Sequence, residues 1–183
     1  MASSFPGPVS LLATFKATGT GKMIIVKQLI LKASRDDDKA CQQELMEFQR
    51  EASKLCDLRH VNIVQYLFYC ERSRTVPAIP ACIGMEYLGD TTLGVAALET
   101  DVTLLQRLGW LREVASGLCY AHSLSPATAH CDVKPNNVMI YAQPNPAPRI
   151  AKIIDFGKCI SQLLLLQVQR LGSFRAHRRK RPE

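Results

Sequence analysis

Residues 130–137 read His-Cys-Asp-Val-Lys-Pro-Asn-Asn, and Asp155-Phe156-Gly157 follows a segment that reads as two short strands around a Pro/Asn-rich turn. One fold must serve Asp132, Lys134 two residues on, Asn137 five on, and a second aspartate beyond a hairpin. Upstream, Met23–Leu31 is a continuous β-favouring run that holds one charge, Lys27, and it predicts a buried strand. Asp37–Leu58 predicts a helix: acidic residues open it, and Leu45, Phe48, Ala52, Leu55 and Leu58 recur at helical steps along one face. Val64–Cys70 and Ala81–Tyr87 predict two more strands, split by the charged loop Glu71–Pro80. Leu104–Leu124 predicts an amphipathic helix with Leu108, Leu111, Val114, Ala115, Leu118 and Ala121 or His122 on one side. Val138–Tyr141 and Ile150–Ile154 are the short strands between the two acidic motifs.

Taken singly, these charges have plainer readings. Lys27 could be a snorkelling strand lysine, Glu51 part of a solvated helix face, and the aspartates unrelated loop acids. Their joint occurrence in this order outweighs those readings. The string from Asp132 to Asn137 followed by Asp155-Phe156-Gly157 resembles the catalytic loop and magnesium motif of the eukaryotic protein kinases. Lys27 resembles the family's third-strand lysine. Glu51, within Glu-Ala-Ser-Lys-Leu-Cys-Asp-Leu-Arg-His before Val-Asn-Ile-Val, resembles the ion-pair glutamate of its C-helix. The Lys134-Pro135 pair is more like Ser/Thr kinases than tyrosine kinases.

The resemblance implies roles. Phosphoryl transfer asks mostly for placed charge. Asp132 would orient the acceptor hydroxyl and take its proton, and Lys134 would neutralise the moving phosphoryl group. Asn137 and Asp155 would hold Mg2+, and Lys27, paired with Glu51, would contact the phosphates of ATP. In the hinge-like stretch Gly84–Asp90, Met85 would be the gatekeeper and the backbone of Glu86 and Leu88 would bond adenine, with Met139 packing beneath it. Leu55, His130 and Phe156 match members of the family's regulatory hydrophobic spine.

The implied fold is α+β and two-lobed, with a five-stranded antiparallel sheet and C-helix in the small lobe and an incomplete large lobe. Residues 1–86 would form the small lobe. Residues 87–160 would supply the hinge, D- and E-helices, catalytic loop and Asp-Phe-Gly, and residues 161–183 a basic, disordered tail. Only 26 residues follow Gly157, so the apolar side of Leu104–Leu124 is expected to lack part of its cover. That predicts poor folding alone, or a chaperone or other partner over the incomplete lobe.

Departures from the family pattern are as informative. The glycine loop maps onto Gly7-Pro8-Val9-Ser10-Leu11-Leu12, where only Gly7 remains. Leu12 puts a side chain where backbone would approach phosphate. Ile25 replaces a small residue in the adenine roof, and Cys131 replaces the arginine that anchors a phosphorylated activation loop. Thr18-Gly19-Thr20-Gly21-Lys22 hints at a P-loop, but Lys16 and Met23 occupy positions that need Gly and Ser or Thr, so a tight turn is the better reading.

Residues 170–183 hold six of the 23 Lys/Arg and one of the 16 Asp/Glu, so most of the +7 charge lies in the tail. The nearly balanced body excludes a nucleic-acid footprint spread over the fold. No segment reads as a membrane span or signal peptide, and seven cysteines without a Cys-x-x-Cys pair suit reduced cytosolic thiols. The expected location is cytoplasmic, with nuclear import through the basic tail as the variant. The leading expectation is ATP-dependent phosphoryl transfer to Ser/Thr of protein substrates, impaired in this chain. A pseudokinase-like binding module is the competing class, and a small-molecule kinase of aminoglycoside-kinase type is a third, weaker one.

Overall fold

The computed structural model of the chain describes residues 9–16, 21–30, 39–73, 79–142 and 148–161. Its first layer is an antiparallel sheet of β1 (Val9–Lys16), β2 (Met23–Ile30), β3 (Tyr66–Cys70) and β4 (Cys82–Glu86), in the order β1-β2-β4-β3. β1 and β2 form a hairpin closing at Lys16↔Met23, beside Gly21 in the left-handed region at φ 65°. Thr18, Gly19 and Thr20 of the P-loop-like string lie outside the described residues.

The resemblance implies five strands here, and the described residues hold four. Gly7 and Pro8 of the counterpart glycine loop also lie outside the described residues. Val9–Leu12, the rest of that stretch, is strand, paired with Lys27–Ile30.

Helix α1 (Lys39–Asp57) packs on the sheet through Phe48, Ala52 and Leu55, which meet Leu29, Ile83 and Met85 in one buried cluster. Each of the larger side chains contributes about 1.5–3 kcal/mol by leaving water, and the methyl of Ala52 less. Asp37 and Asp38, expected to open this helix, lie outside the described residues.

Beyond β4 the chain makes a single-turn helix α2 (Leu93–Ala96) and the long helix α3 (Leu104–Ser123). α3 starts on a capping box: Gln106 N–H donates to Thr103 Oγ1, and Thr103 N–H donates to Gln106 Oε1 at 2.8 Å. Two short pairings follow: β5 (Thr128–Ala129) with β8 (Ile160–Ser161), and the hairpin β6 (Val138–Tyr141) with β7 (Ile150–Ile153). A 3-10 turn, Pro135–Asn137, leads into β6. Residues 143–147 of the expected Pro/Asn-rich turn, residues 74–78 of the charged loop and the tail from 162 lie outside the described residues.

The buried face of α3 corrects the expectation from hydropathy. Trp110, Val114, Gly117 and Ala121 face the core, whereas Leu108 and Leu111 are 53% and 55% exposed and Ala115 is exposed. The cause is the position of β7. It is bound to residues 62–64 by Ile153 N–H to Asn62 O at 2.8 Å and Val64 N–H to Ile153 O at 2.9 Å, and it lies against α3. A Cβ on Gly117 would stand 3.0 Å from Ile153 Cδ1 and 3.1 Å from Asn62 O, so the close approach favours glycine. Trp110 Nε1 donates to Arg149 O at 3.2 Å, and Glu113 accepts from Ala151 N–H at 2.6 Å. Leu104, Leu105, Leu108 and Leu111 remain as an uncovered leucine stripe.

Candidate functional site

A cleft of about 460 Å³ runs between the sheet and the segments carrying Asn137, Met139 and Asp155. Ile25, Val64, Met85, Leu88, Met139 and Ile154 give it apolar walls, and Lys27, Glu51, Asn137 and Asp155 make one end polar. Alternation along β2 builds this end: Lys27 stands opposite Ile83 in the ladder, so it shares the face that β4 turns toward α1.

Lys27 Nζ lies 2.7 Å from Glu51 Oε1 and 3.5 Å from Asp155 Oδ1. Glu51 is buried, and the ammonium keeps its charge tolerable there. Asp155 takes φ 62°, an uncommon value for a residue with a Cβ, and the turn sends its carboxylate to Lys27 while Phe156 goes into the core. Phe156 meets the buried His130 ring edge-on, centroids 4.6 Å apart, and His130 Nε2 is 3.0 Å from Ile154 O. Gly157 lets the turn pass Glu51, since a Cβ there would sit 3.2 Å from Glu51 Oε2. Lys54, one turn along α1, donates to the carbonyl of Cys159.

Cys131 to Asn137 form a second knot. Cys131 also takes φ 62°, and Asp132 N–H donates back to His130 Nδ1 at 3.2 Å. Asp132 Oδ2 receives Lys134 Nζ at 2.9 Å, Asn137 Nδ2 at 3.2 Å and Lys158 Nζ at 3.2 Å. The hydrogen bond from Lys134, then that from Lys158, holds the Asp132 carboxyl down at about 2. Asn137 spends its amide nitrogen on Asp132, which leaves Oδ1 as its donor toward a cation.

Of the residues singled out from sequence, Lys27, Glu51, Met85, Glu86, Leu88, Met139, Asn137 and Asp155 all line this cleft. Asp132 and Lys134 stand beside it, linked through Asn137. Glu86 N–H is committed to Gln65 O at 3.0 Å, while Leu88 N–H has no hydrogen-bond partner among the described residues. Sequence reasoning missed Lys158 and Lys152. Lys152 Nζ reaches Glu86 Oε1 at 2.5 Å and lies 5.9 Å from the Tyr141 ring centre. The nearest signal was its charge inside an otherwise apolar strand.

Among the described residues no three His, Cys, Asp or Glu side chains converge as a metal cluster. One carboxylate and one amide oxygen suit Mg2+, which keeps waters and accepts phosphate oxygens for the rest. The apolar walls leading to a lysine likewise fit a nucleoside triphosphate.

A cleft of this kind, with lysine–glutamate pair, catalytic loop and Asp-Phe-Gly turn, defines a protein-kinase domain. The Protein kinase domain family matches residues 7–164, and the chain belongs to that family. Over 150 residues it is 30% identical to a probable serine/threonine-protein kinase, pats1, of Dictyostelium discoideum, covering 78% of this chain and 4% of that protein. Over 147 residues it is 32% identical to mitogen-activated protein kinase kinase kinase 19 of Mus musculus, covering 80% of this chain and 10% of that one. It is also 32% identical over 147 residues to the probable serine/threonine-protein kinase drkD of Dictyostelium discoideum, with shares of 78% and 10%. The chain thus spans a small part of the length of these relatives.

Proposed function

We propose that the site carries ATP- and Mg2+-dependent phosphoryl transfer to serine or threonine hydroxyls of protein substrates. One observation supports this above the others: Lys27 stands between Glu51 and Asp155, at 2.7 and 3.5 Å, at the polar end of an apolar cleft. Bound Mg-ATP supplies the transferable phosphoryl group and the cation that neutralises it. Met85, Met139 and Ile25 enclose the base, and the backbone of Glu86 and Leu88 bonds its edge. Lys27 holds the phosphates, oriented by Glu51. Asp155 and the oxygen of Asn137 hold the cation. Asp132 would orient the acceptor hydroxyl and take its proton as that oxygen bonds the terminal phosphorus and the bond to the bridging oxygen breaks, releasing ADP, and Lys134 would offset the charge of the transferred group.

In this reading residues 1–86 act as the small lobe, 87–160 as the part of the large lobe bearing the loop, and 161–183 as a tail outside the site. The cytoplasm is the proposed location. A second reading, a non-catalytic pseudokinase-like binding module, draws on Asp132: two lysines occupy the oxygen that must meet the hydroxyl.

A thermal melt with and without Mg-ATP tests nucleotide binding. At about 100 times the dissociation constant, the ligand adds roughly 2.7 kcal/mol, which reads as a raised melting point. An unchanged melting point rejects the nucleotide site. A raised one with phosphate transfer to a Ser/Thr peptide mixture supports catalysis; a raised one without transfer selects the binding module.

A further inference from the structure

Cys70 and Cys82 are direct cross-strand partners in the β3–β4 ladder. The register is pinned on both sides: Phe68↔Gly84 and Tyr69↔Ile83 precede the pair, and the Ser73–Ile79 bridge beyond it keeps the same alignment. Residues opposed in an antiparallel ladder have Cα atoms about 4.5–5.5 Å apart, with side chains on the same face. That separation falls inside the roughly 4.4–6.8 Å window a disulfide tolerates. The surroundings of the two thiols differ in a useful way, because Cys70 is exposed and Cys82 is buried. All seven cysteines are free, and no other pair of them shares a ladder position among the described residues.

We propose that Cys70 and Cys82 are a reversible oxidation site that closes to a disulfide on exposure to a peroxide. In the first step the sulfur of Cys70, which solvent reaches, attacks one peroxide oxygen. An S–O bond forms, the O–O bond breaks, and water leaves, giving a sulfenic acid on Cys70. In the second, the sulfur of Cys82 attacks that of Cys70. The S–S bond forms, the S–O bond breaks, and hydroxide departs with the Cys82 proton as a second water. Two thiols lose two electrons and the peroxide gains them. Burial and the neighbouring Cys70 raise the Cys82 thiol above its ordinary value, which keeps it protonated and leaves the first attack on peroxide to the exposed Cys70.

The staple lies on the strand that feeds the cleft. β4 runs from Cys82 to Met85 and Glu86, both of which line it. Closing the bond fixes the β3–β4 register at the end of the strand away from the cleft. This inference stands independently of the phosphotransfer reading.

The test uses the whole reduced chain, treated with hydrogen peroxide and then with a thiol-blocking reagent, and digested without reductant. The expected product is a Cys70–Cys82 cross-linked peptide lighter by two hydrogens, lost on adding dithiothreitol and accompanied by a higher melting temperature. Cys70→Ser should abolish it, and Cys131→Ser should leave it intact. Because Cys70 is on the surface, Cys70→Ser keeps the experiment decisive even where Cys82→Ser unfolds the chain. A sulfinic acid on Cys70 with Cys82 still blockable as a thiol, or a cross-link between two chains through Cys70, overturns the proposal.

Discussion

The ammonium of Lys27 lies 2.7 Å from the carboxylate of Glu51, joining the middle of a strand to a helix 24 residues further on. Glu51 is 7% exposed, so this pair is nearly dry, and its members depend on each other more than a surface pair does. Lys27→Met is expected to cost about 3 kcal/mol in urea unfolding, because it strands a buried carboxylate. Replacing both residues with methionine should recover most of that loss while leaving Mg-ATP without effect on the melt. A double variant no more stable than Lys27→Met would show that the pair contributes no mutual support.

Asp155 behaves differently, since its side chain is 45% exposed. Asp155→Asn should shift stability without ligand by less than about 1 kcal/mol, as expected for an exposed ion pair. It should also abolish the magnesium-dependent part of the nucleotide-induced melting shift and any phosphate transfer. Unchanged turnover in this variant would remove Asp155 from the role assigned to it.

The Asp132 carboxyl, held at about 2 by Lys134 and then Lys158, makes a pH prediction. Its folded value lies below the ordinary 3.8, so its stabilising effect is fully present above that ordinary value and disappears as pH falls toward about 2. Lys158→Met removes one donor and should move the carboxyl titration upward, toward the ordinary value, in a carbon-detected NMR titration. If Lys158 also obstructs the acceptor hydroxyl, the same variant raises turnover. A titration that stays at about 2 would mean that Lys134 and Asn137 suffice.

Two glycines of one helix should respond oppositely to alanine. Gly117→Ala drives a methyl to within 3.0 Å of Ile153 Cδ1 and 3.1 Å of a carbonyl oxygen, and overpacking of that kind costs about 1–3 kcal/mol. At Gly109 nothing lies within 4 Å of the added carbon, and Gly109→Ala should stabilise by about 0.5–1 kcal/mol. Denaturant midpoints for the two variants give the comparison directly.

Much of the site could be read from the chain because its chemistry is tied to local spacing. Lys27 in an apolar strand, Glu51 on a helical face and the Asp132-to-Asn137 string are patterns within single elements. Residues whose role depends on what packs against them were hidden. Hydropathy favoured Leu108 and Leu111 over Trp110 and Gly117, because it cannot register that a missing side chain lets β7 come close. The left-handed backbone at Cys131 has no signature in a residue that ordinarily avoids it, and at Asp155 only the weak one that aspartate tolerates it. Lys158 looks like an ordinary surface lysine, and Lys152 like a lone charge in an apolar strand, until the fold delivers them to Asp132 and Glu86.

The Lys152–Glu86 contact gears one half of the molecule to the other. Glu86 ends the last strand of the sheet and also accepts the Gln65 N–H at 2.8 Å, while Lys152 belongs to the hairpin below the cleft. A shift of that hairpin relative to the sheet at this hinge-like stretch would have to part a mostly buried ammonium from its counter-ion. The contact thus acts as a clasp beside the pivot, and one that salt reaches poorly because both groups are largely buried.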